Sequence, residues 1–123
     1  MAQISYQNII ENLTNAVIIL DETFKVRYIN TSAEVLLDIS QRQAELIPFQ
    51  AILPGEDSLF KSLVKVMETG HSSLERAIKL YIPTTGEINV DCAVKVLELE
   101  SNKNFILLEF FQLDNQQRIS RDE

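Results

Sequence analysis

The sequence predicts an α+β fold, in which central helices cover one face of a five-stranded antiparallel sheet and an N-terminal helix precedes it. Three observations carry this prediction. Only four residues, 21–24, separate two strand-like segments near the N-terminus, which is typical of a β-hairpin. The middle third has helical apolar spacing and ends at a glycine. The last third alternates with a period of two and is interrupted by two turn sequences.

The N-terminal helix is predicted over about residues 5–13. Its apolar residues follow the i, i+3, i+4, i+7 spacing of a single stripe, namely Tyr6, Ile9, Ile10 and Leu13. A stripe this narrow has to be buried against another surface of the same chain or of a second chain.

The hairpin and the helix after it are predicted from local composition. Ala16–Leu20 is apolar throughout and Lys25–Ile29 alternates, so both are strands. Thr31 and Glu34 have the spacing of a capping box, which predicts that a helix begins directly after the second strand. A further short helix is predicted over Gln41–Leu46.

The longest predicted helix begins with Asp57 as its N-cap and ends before Gly70 at the C′ position. Its apolar stripe consists of Phe60, Leu63, Val64 and Met67.

Three strand patterns fill the last third of the chain. Leu74, Ile78, Leu80 and Ile82 share one parity, which predicts that they face the core together. Ile88 to Val96 alternates regularly, and Phe105–Phe111 is the final strand. From residue 114 onward the chain is polar, with a single apolar residue.

Composition restricts the class of partner. The net charge is −7, and basic residues are scattered, so nucleic acid and membrane surfaces are not expected partners. The single Cys92 cannot form an internal disulfide, which fits a reducing compartment. No apolar run approaches the ~20 residues of a membrane span. We therefore expect a cytoplasmic chain.

No catalytic, cofactor or metal site is expected. His71 stands alone after Gly70, which predicts a residue at a helix end rather than a ligand. Cys92 is expected to be a small buried apolar group on a strand. Glu109 lies between apolar neighbours and is expected to face outward.

The segment Tyr28–Glu34 is similar to the strand-to-helix signature Y-x-N-x-A-x-E of the PAS family. Thr85-Gly86-Glu87 resembles the family's Asp-Gly hairpin between the third and fourth strands, with Thr85 in place of the aspartate. The glycine still meets the turn's need for a positive φ. The resemblance implies a PAS-like fold.

A narrower resemblance is to the N-terminal sensor domain of NtrB-type nitrogen-regulation histidine kinases. It rests on Ile9–Val17, Tyr28–Asn30 and Leu113–Ser120, which lie at corresponding places along one domain. It implies that residues 1–113 are a PAS domain and that residues 114–123 begin a linker toward a missing kinase dimerisation helix. This chain would then have no catalytic activity of its own, whereas its parent would be an ATP-dependent histidine kinase.

The same resemblance implies partners for the parent protein. The kinase would phosphorylate and dephosphorylate the response regulator NtrC under control of the PII protein, and the PAS domain would serve as a dimerising input domain. The stripe Tyr6, Ile9, Ile10 and Leu13 would then be a homodimer interface. The other interpretation, that this stripe covers the outer face of its own sheet, stays open.

An alternative function is a small-molecule sensor, because PAS domains commonly hold a ligand between sheet and helices. The lining residues would all be apolar, namely Ile18, Leu36, Phe60, Val64, Ile78, Val94 and Leu107. Such a lining offers a polar metabolite few partners, which favours a packed core without a ligand.

Overall fold

A five-stranded sheet and the helices that follow its second strand make up the described part of the chain. The computed structural model describes residues 15–55, 57–100 and 103–113. In chain order the elements are β1 (Ala16–Leu20), β2 (Val26–Ile29), α1 (Thr31–Leu37), α2 (Gln41–Ala44), α3 (Phe49–Ile52), α4 (Asp57–Thr69), β3 (Ser73–Ile82), β4 (Gly86–Glu100) and β5 (Lys103–Gln112). The predicted N-terminal helix, with its stripe, and the predicted linker lie outside the described residues.

The strands lie side by side in the order β2-β1-β5-β4-β3, and every neighbouring pair is antiparallel. The first and last strands of the domain are therefore neighbours in the middle of the sheet. This arrangement confirms the predicted α+β class and the five-stranded antiparallel sheet.

One face of the sheet forms the core with the helices. Alternate residues of β1, β4 and β5 are buried there, as the period of two requires. They are Ala16, Ile18, Leu20, Val90, Cys92, Val94, Ile106, Leu108 and Phe110. From α1 and α4, the residues Ala33, Leu37, Leu59, Leu63 and Val66 pack in the same cluster. This burial of apolar area is the main source of the domain's stability.

The edge of β2 that pairs with no other strand is covered by the loop between α2 and α3. The backbone N–H of Val26 donates to Ile47 O at 2.9 Å, and the N–H of Leu46 donates to Val26 O at 2.7 Å. Sheet edges that stay unpaired invite association with other strands, and this loop removes one of the two edges.

Two predictions about facing residues are wrong. A β-bulge between Glu75 and Ile78 shifts the register of β3, so Leu74 pairs with Ala93 on the other face and is 49% exposed. In α4 the buried positions are Leu59, Ser62, Leu63 and Val66, so the core-facing side is rotated from the predicted stripe. Leu63 belongs to both sets, and Phe60 and Met67 are partly buried against the core.

The ends of α4 match the prediction in part. Asp57 is the first helical residue rather than the residue before the helix. Gly70 follows the helix with φ 76°, and its N–H donates to Val66 O at 2.8 Å. A left-handed glycine at this position is the usual end of a helix.

Candidate functional site

The junction between β2 and α1 is organised by the buried side chain of Asn30. Its Oδ1 accepts hydrogen bonds from the N–H groups of Val17 at 3.0 Å and Ala33 at 2.9 Å, and its Nδ2 donates to Asn15 O at 2.9 Å. The first bond ties the junction to β1 and the second caps α1. The N-cap is therefore Asn30, and the predicted capping box beginning at Thr31 is wrong.

A second set of polar contacts fixes α2 beside this junction. Glu34 Oε2 accepts from the N–H of Gln41 at 2.6 Å, and Gln41 Oε1 accepts from the N–H of Ile29 at 2.7 Å. The capping box of this region lies at Ser40 and Gln43, whose side chains bond each other's backbone N–H groups. The resembling segment Tyr28–Glu34 is thus a hydrogen-bonded corner that links sheet and helices.

The predicted pocket lining is split between the two faces of the sheet. Ile18, Ile78 and Val94 lie together in the core, with Leu36 and Phe60 packed against it. Val64 is half-buried on α4. Leu107 lies on the opposite face, since it pairs with Ile19 and Lys95 while its neighbours Ile106 and Leu108 point into the core. Leu107 therefore does not line a pocket between the sheet and the helices, and its predicted place in that lining is wrong.

The sheet face away from the described helices is also apolar near its centre. Val17 and Ile19 of β1 are buried there, although they are not part of the core cluster. Leu107 and Phe111 of β5 share this outer face and are half-buried. The sequence predicts an outward position for Glu109 alone in β5, and the parity of Glu109 also places Leu107 and Phe111 on this face.

Glu109 lies on that outer face, as expected, between Val17 and Ala93 of the neighbouring strands. Its Oε2 accepts a hydrogen bond from Asn15 Nδ2 at 2.9 Å. This hydrogen bond holds Asn15, the residue directly before β1, against β5.

The two side chains most capable of chemistry are not arranged for it in the described structure. His71 is exposed in the loop between α4 and β3, and its backbone N–H donates to Thr69 Oγ at 3.2 Å. Cys92 is buried in the core. Burial raises the pKa of the Cys92 thiol, and the carboxylates of Glu75 and Glu109 raise it further. The thiol is therefore held in its unreactive protonated form.

Metal-binding chemistry has no geometric support within residues 15–55, 57–100 and 103–113. No three side chains of the histidine, cysteine, aspartate and glutamate types come together there in a way that could hold an ion. Likewise, none of the helices in these ranges has the length and apolar character of a membrane span.

An antiparallel sheet in this strand order, with short helices and one longer helix between its second and third strands, defines a PAS-like domain. The family model described as "PAS fold" matches residues 5–106, so the chain belongs to the PAS family.

Among characterised proteins the chain is similar to sensory histidine kinase/phosphatase NtrB. It is 24% identical to that protein from Escherichia coli O157:H7 over 115 residues, which is 94% of this chain and 32% of the relative. For Salmonella typhimurium (strain LT2) the identity is 25% with the same coverage. The chain thus spans about a third of the length of these curated relatives.

Solved structures show the same fold. The PAS domain of nitrogen regulation protein NR(II) from Vibrio parahaemolyticus superposes with a TM-score of 0.75 and 18% identity, covering 89% of this chain and all (100%) of that one. The LOV protein of Rhodobacter sphaeroides gives a TM-score of 0.73 at 9% identity, covering 89% of this chain and 66% of that one. Identities this low establish the fold and nothing finer.

Proposed function

We propose that this domain is the regulatory, dimerising input domain of a cytoplasmic NtrB-type sensor histidine kinase. The observation that carries the proposal is the alignment with NtrB over 94% of this chain but only 32% of the relative. A match of that shape is what a sensor domain without its kinase domains would give. The parent kinase would act on NtrC under control of PII, and residues 114–123 would lead into its dimerisation helix.

The proposed mechanism is mechanical. Two copies would pair and set the spacing and rotation of the two chain segments that leave β5. The stripe Tyr6, Ile9, Ile10 and Leu13 is the proposed dimer contact. The outer face of the sheet is apolar, with Leu107 and Phe111 half-buried, so it offers a surface for this stripe from the same chain or from a second copy.

The core supports a scaffold better than a metabolite pocket. Ile18 and Val94 are 0% exposed and Ile78 is 8% exposed. The predicted lining has no hydrogen-bonding side chain to orient a polar ligand.

Native mass spectrometry across a concentration series tests the dimer directly. We expect a dimer without added mass for the wild-type chain and a monomer for Ile10→Asp, because the charge would be buried at the contact. Gln7→Asp is the matched control, since residue 7 is off the stripe, and this variant should remain dimeric. A folded Ile10→Asp chain that dimerises like the wild type would reject the stripe as the interface.

The kinase context is tested in the full-length parent protein. Incubation with radiolabelled ATP should label the parent on histidine and then label NtrC on transfer. Deletion of residues 1–113 should change the rate of autophosphorylation, because the proposed dimerising domain is lost, and should leave the response to PII in place, because PII is expected to act on the kinase parts. Failure of the parent to label NtrC would exclude the nitrogen-regulation assignment without affecting the PAS fold.

A further inference from the structure

A polar pocket lies between the second half of α4 and the segment that enters β3. It is lined by Ser62, Lys65, Val66, Thr69, His71, Ser72 and Ser73 and encloses about 280 Å³. This volume is near the lower limit of small-molecule sites, so it suits a small ligand rather than a cofactor.

The lining is unlike the rest of the molecule in its chemistry. Every lining side chain except that of Val66 carries a polar group, and the ionisable ones are Lys65 and His71. In the described part of the chain the ion pair is between Arg27 and Asp21. The Lys65 ammonium therefore forms no ion pair with a described carboxylate. Lys65 therefore places a positive charge at this pocket in a chain whose net charge is −7.

Ser62 provides the second, independent observation. It is only 8% exposed, which is unusual for a helical serine. Its hydroxyl makes no hydrogen bond within the described residues. Every fully enclosed side-chain oxygen in those residues has a hydrogen-bond partner, so the Ser62 hydroxyl is not fully enclosed. The hydroxyl must therefore open toward the pocket that Ser62 lines.

The other polar groups of the pocket are partly engaged. The Thr69 hydroxyl donates to Lys65 O at 2.9 Å and accepts from the N–H of His71 at 3.2 Å. The Ser73 hydroxyl donates to Glu75 Oε2 at 2.8 Å. The donors without a described hydrogen bond are the hydroxyls of Ser62 and Ser72, the Lys65 ammonium and the His71 imidazole, and the Lys65 ammonium is the one with a permanent positive charge. Donors of this kind recognise an anionic oxygen.

We propose that this pocket binds a small oxyanion, either a carboxylate or a phosphate group, with Lys65 and Ser62 as its principal donors. The site lies between α4 and the entry to β3, beside the core residue Val66 and away from the outer sheet face. A bound anion would link α4 to the strand at the open edge of the sheet. This inference does not depend on the proposed dimer.

Titration of the ¹⁵N-labelled chain by NMR tests the site. The probes are inorganic phosphate and succinate, each added at constant ionic strength against sodium chloride. We expect saturable shifts at Ser62, Lys65 and His71–Ser73 with a dissociation constant of about 1 mM. Saturation by phosphate alone identifies a phosphate site, and saturation by succinate alone identifies a carboxylate site.

Variants separate a site from general charge effects. Lys65→Gln should weaken binding about tenfold, since a charge-assisted hydrogen bond is lost, and Ser62→Ala should weaken it severalfold. Lys61→Gln removes the same charge from an exposed position on α4 outside the pocket and should leave binding unchanged. The proposal is overturned if neither probe saturates by about 20 mM, or if Lys65→Gln and Lys61→Gln behave alike.

Discussion

Asn30 and Val17 are joined by two hydrogen bonds across β1 and β2. The backbone N–H of Asn30 donates to Val17 O at 3.1 Å, and Asn30 Oδ1 accepts from the N–H of Val17 at 3.0 Å. Because the same oxygen also caps α1 through Ala33, one buried amide fixes the relative placement of sheet and helix.

We predict that Asn30→Ala lowers the free energy of unfolding by about 3 kcal/mol. The substitution leaves the N–H groups of Val17 and Ala33 buried without their acceptor and removes the helix cap. Urea unfolding followed by circular dichroism measures the change. Asn89→Ala is the matched control, because the Asn89 side chain is half-buried on β4 and makes no described hydrogen bond. A loss below about 1 kcal/mol for Asn30→Ala would contradict this account.

The bulge in β3 gives a second prediction. Ala77 has φ 56°, and its N–H donates to Asp91 Oδ1 at 2.9 Å. A side chain at positive φ is strained by about 1–2 kcal/mol, whereas glycine is not. Ala77→Gly should therefore stabilise the domain by about 1 kcal/mol in the same urea assay. Ala93→Gly, in the regular part of β4, should destabilise it, and equal effects of the two variants would reject the bulge.

The bulge in β3 is a feature that the sequence pattern did not predict. The pattern predicted the strands and their hairpins because period-two alternation and turn residues are local signals. It placed Leu74 with Ile78 because nothing local marks the extra residue that shifts the register. At the bulge the N–H of Ala77 donates to Asp91 on the next strand. Such a contact becomes visible only in three dimensions.

The helix cap and the pocket lining were missed for different reasons. Asn30 and Thr31 are both good N-cap residues, so composition alone did not decide between them. The stretch from Phe105 to Leu108 is apolar on both parities, which hides which residues face the core. The outward position of Glu109 carried the missing information, since Leu107 has the same parity and must share its face.

The register of β5 is tested by neighbouring substitutions. Leu108 is 0% exposed in the core, so Leu108→Ala should cost about 3 kcal/mol through lost apolar contact and the cavity left behind. Leu107 is half-buried on the outer face, so Leu107→Ala should cost about 1 kcal/mol or less. Differential scanning calorimetry provides the measurement. A larger loss for Leu107→Ala than for Leu108→Ala would reverse the assigned faces.

The chemistry of Cys92 gives a prediction for the native state. Burial, with the carboxylates of Glu75 and Glu109, raises the pKa of the thiol. The thiolate is the reactive form, so labelling by a disulfide reagent at pH 8 should be much slower than for an exposed cysteine. The same chain in denaturing urea should react at the ordinary rate. Equal rates in the two states would show that Cys92 is accessible.

The hairpin between β1 and β2 predicts a dependence of stability on pH. Partial burial of the Asp21 carboxylate raises its pKa, but hydrogen bonds from Thr23 and Lys25 lower the pKa by more. The charge of Arg27, whose Nη1 lies 3.8 Å from Asp21 Oδ2, lowers it further. The net result is a lowered pKa in the folded state. A lowered folded-state pKa stabilises the protein above the unfolded pKa of about 3.9. That stabilisation is lost as the pH falls through the folded value.

The comparison of wild type with Asp21→Asn isolates this effect, because asparagine keeps an acceptor oxygen and loses the charge. We expect Asp21→Asn to be less stable than wild type at pH 7 and the difference to shrink steadily below about pH 4. Glu22→Gln is the control, because it removes the same charge at the adjacent exposed position, where the side chain makes no described hydrogen bond. The stability difference between this variant and wild type should be smaller at pH 7. If the Asp21→Asn difference stayed constant from pH 7 to pH 3, the carboxylate would not be the stabilising group. A constant difference would instead reflect an effect of the amide group that does not depend on pH, and the Arg27 charge would contribute nothing measurable.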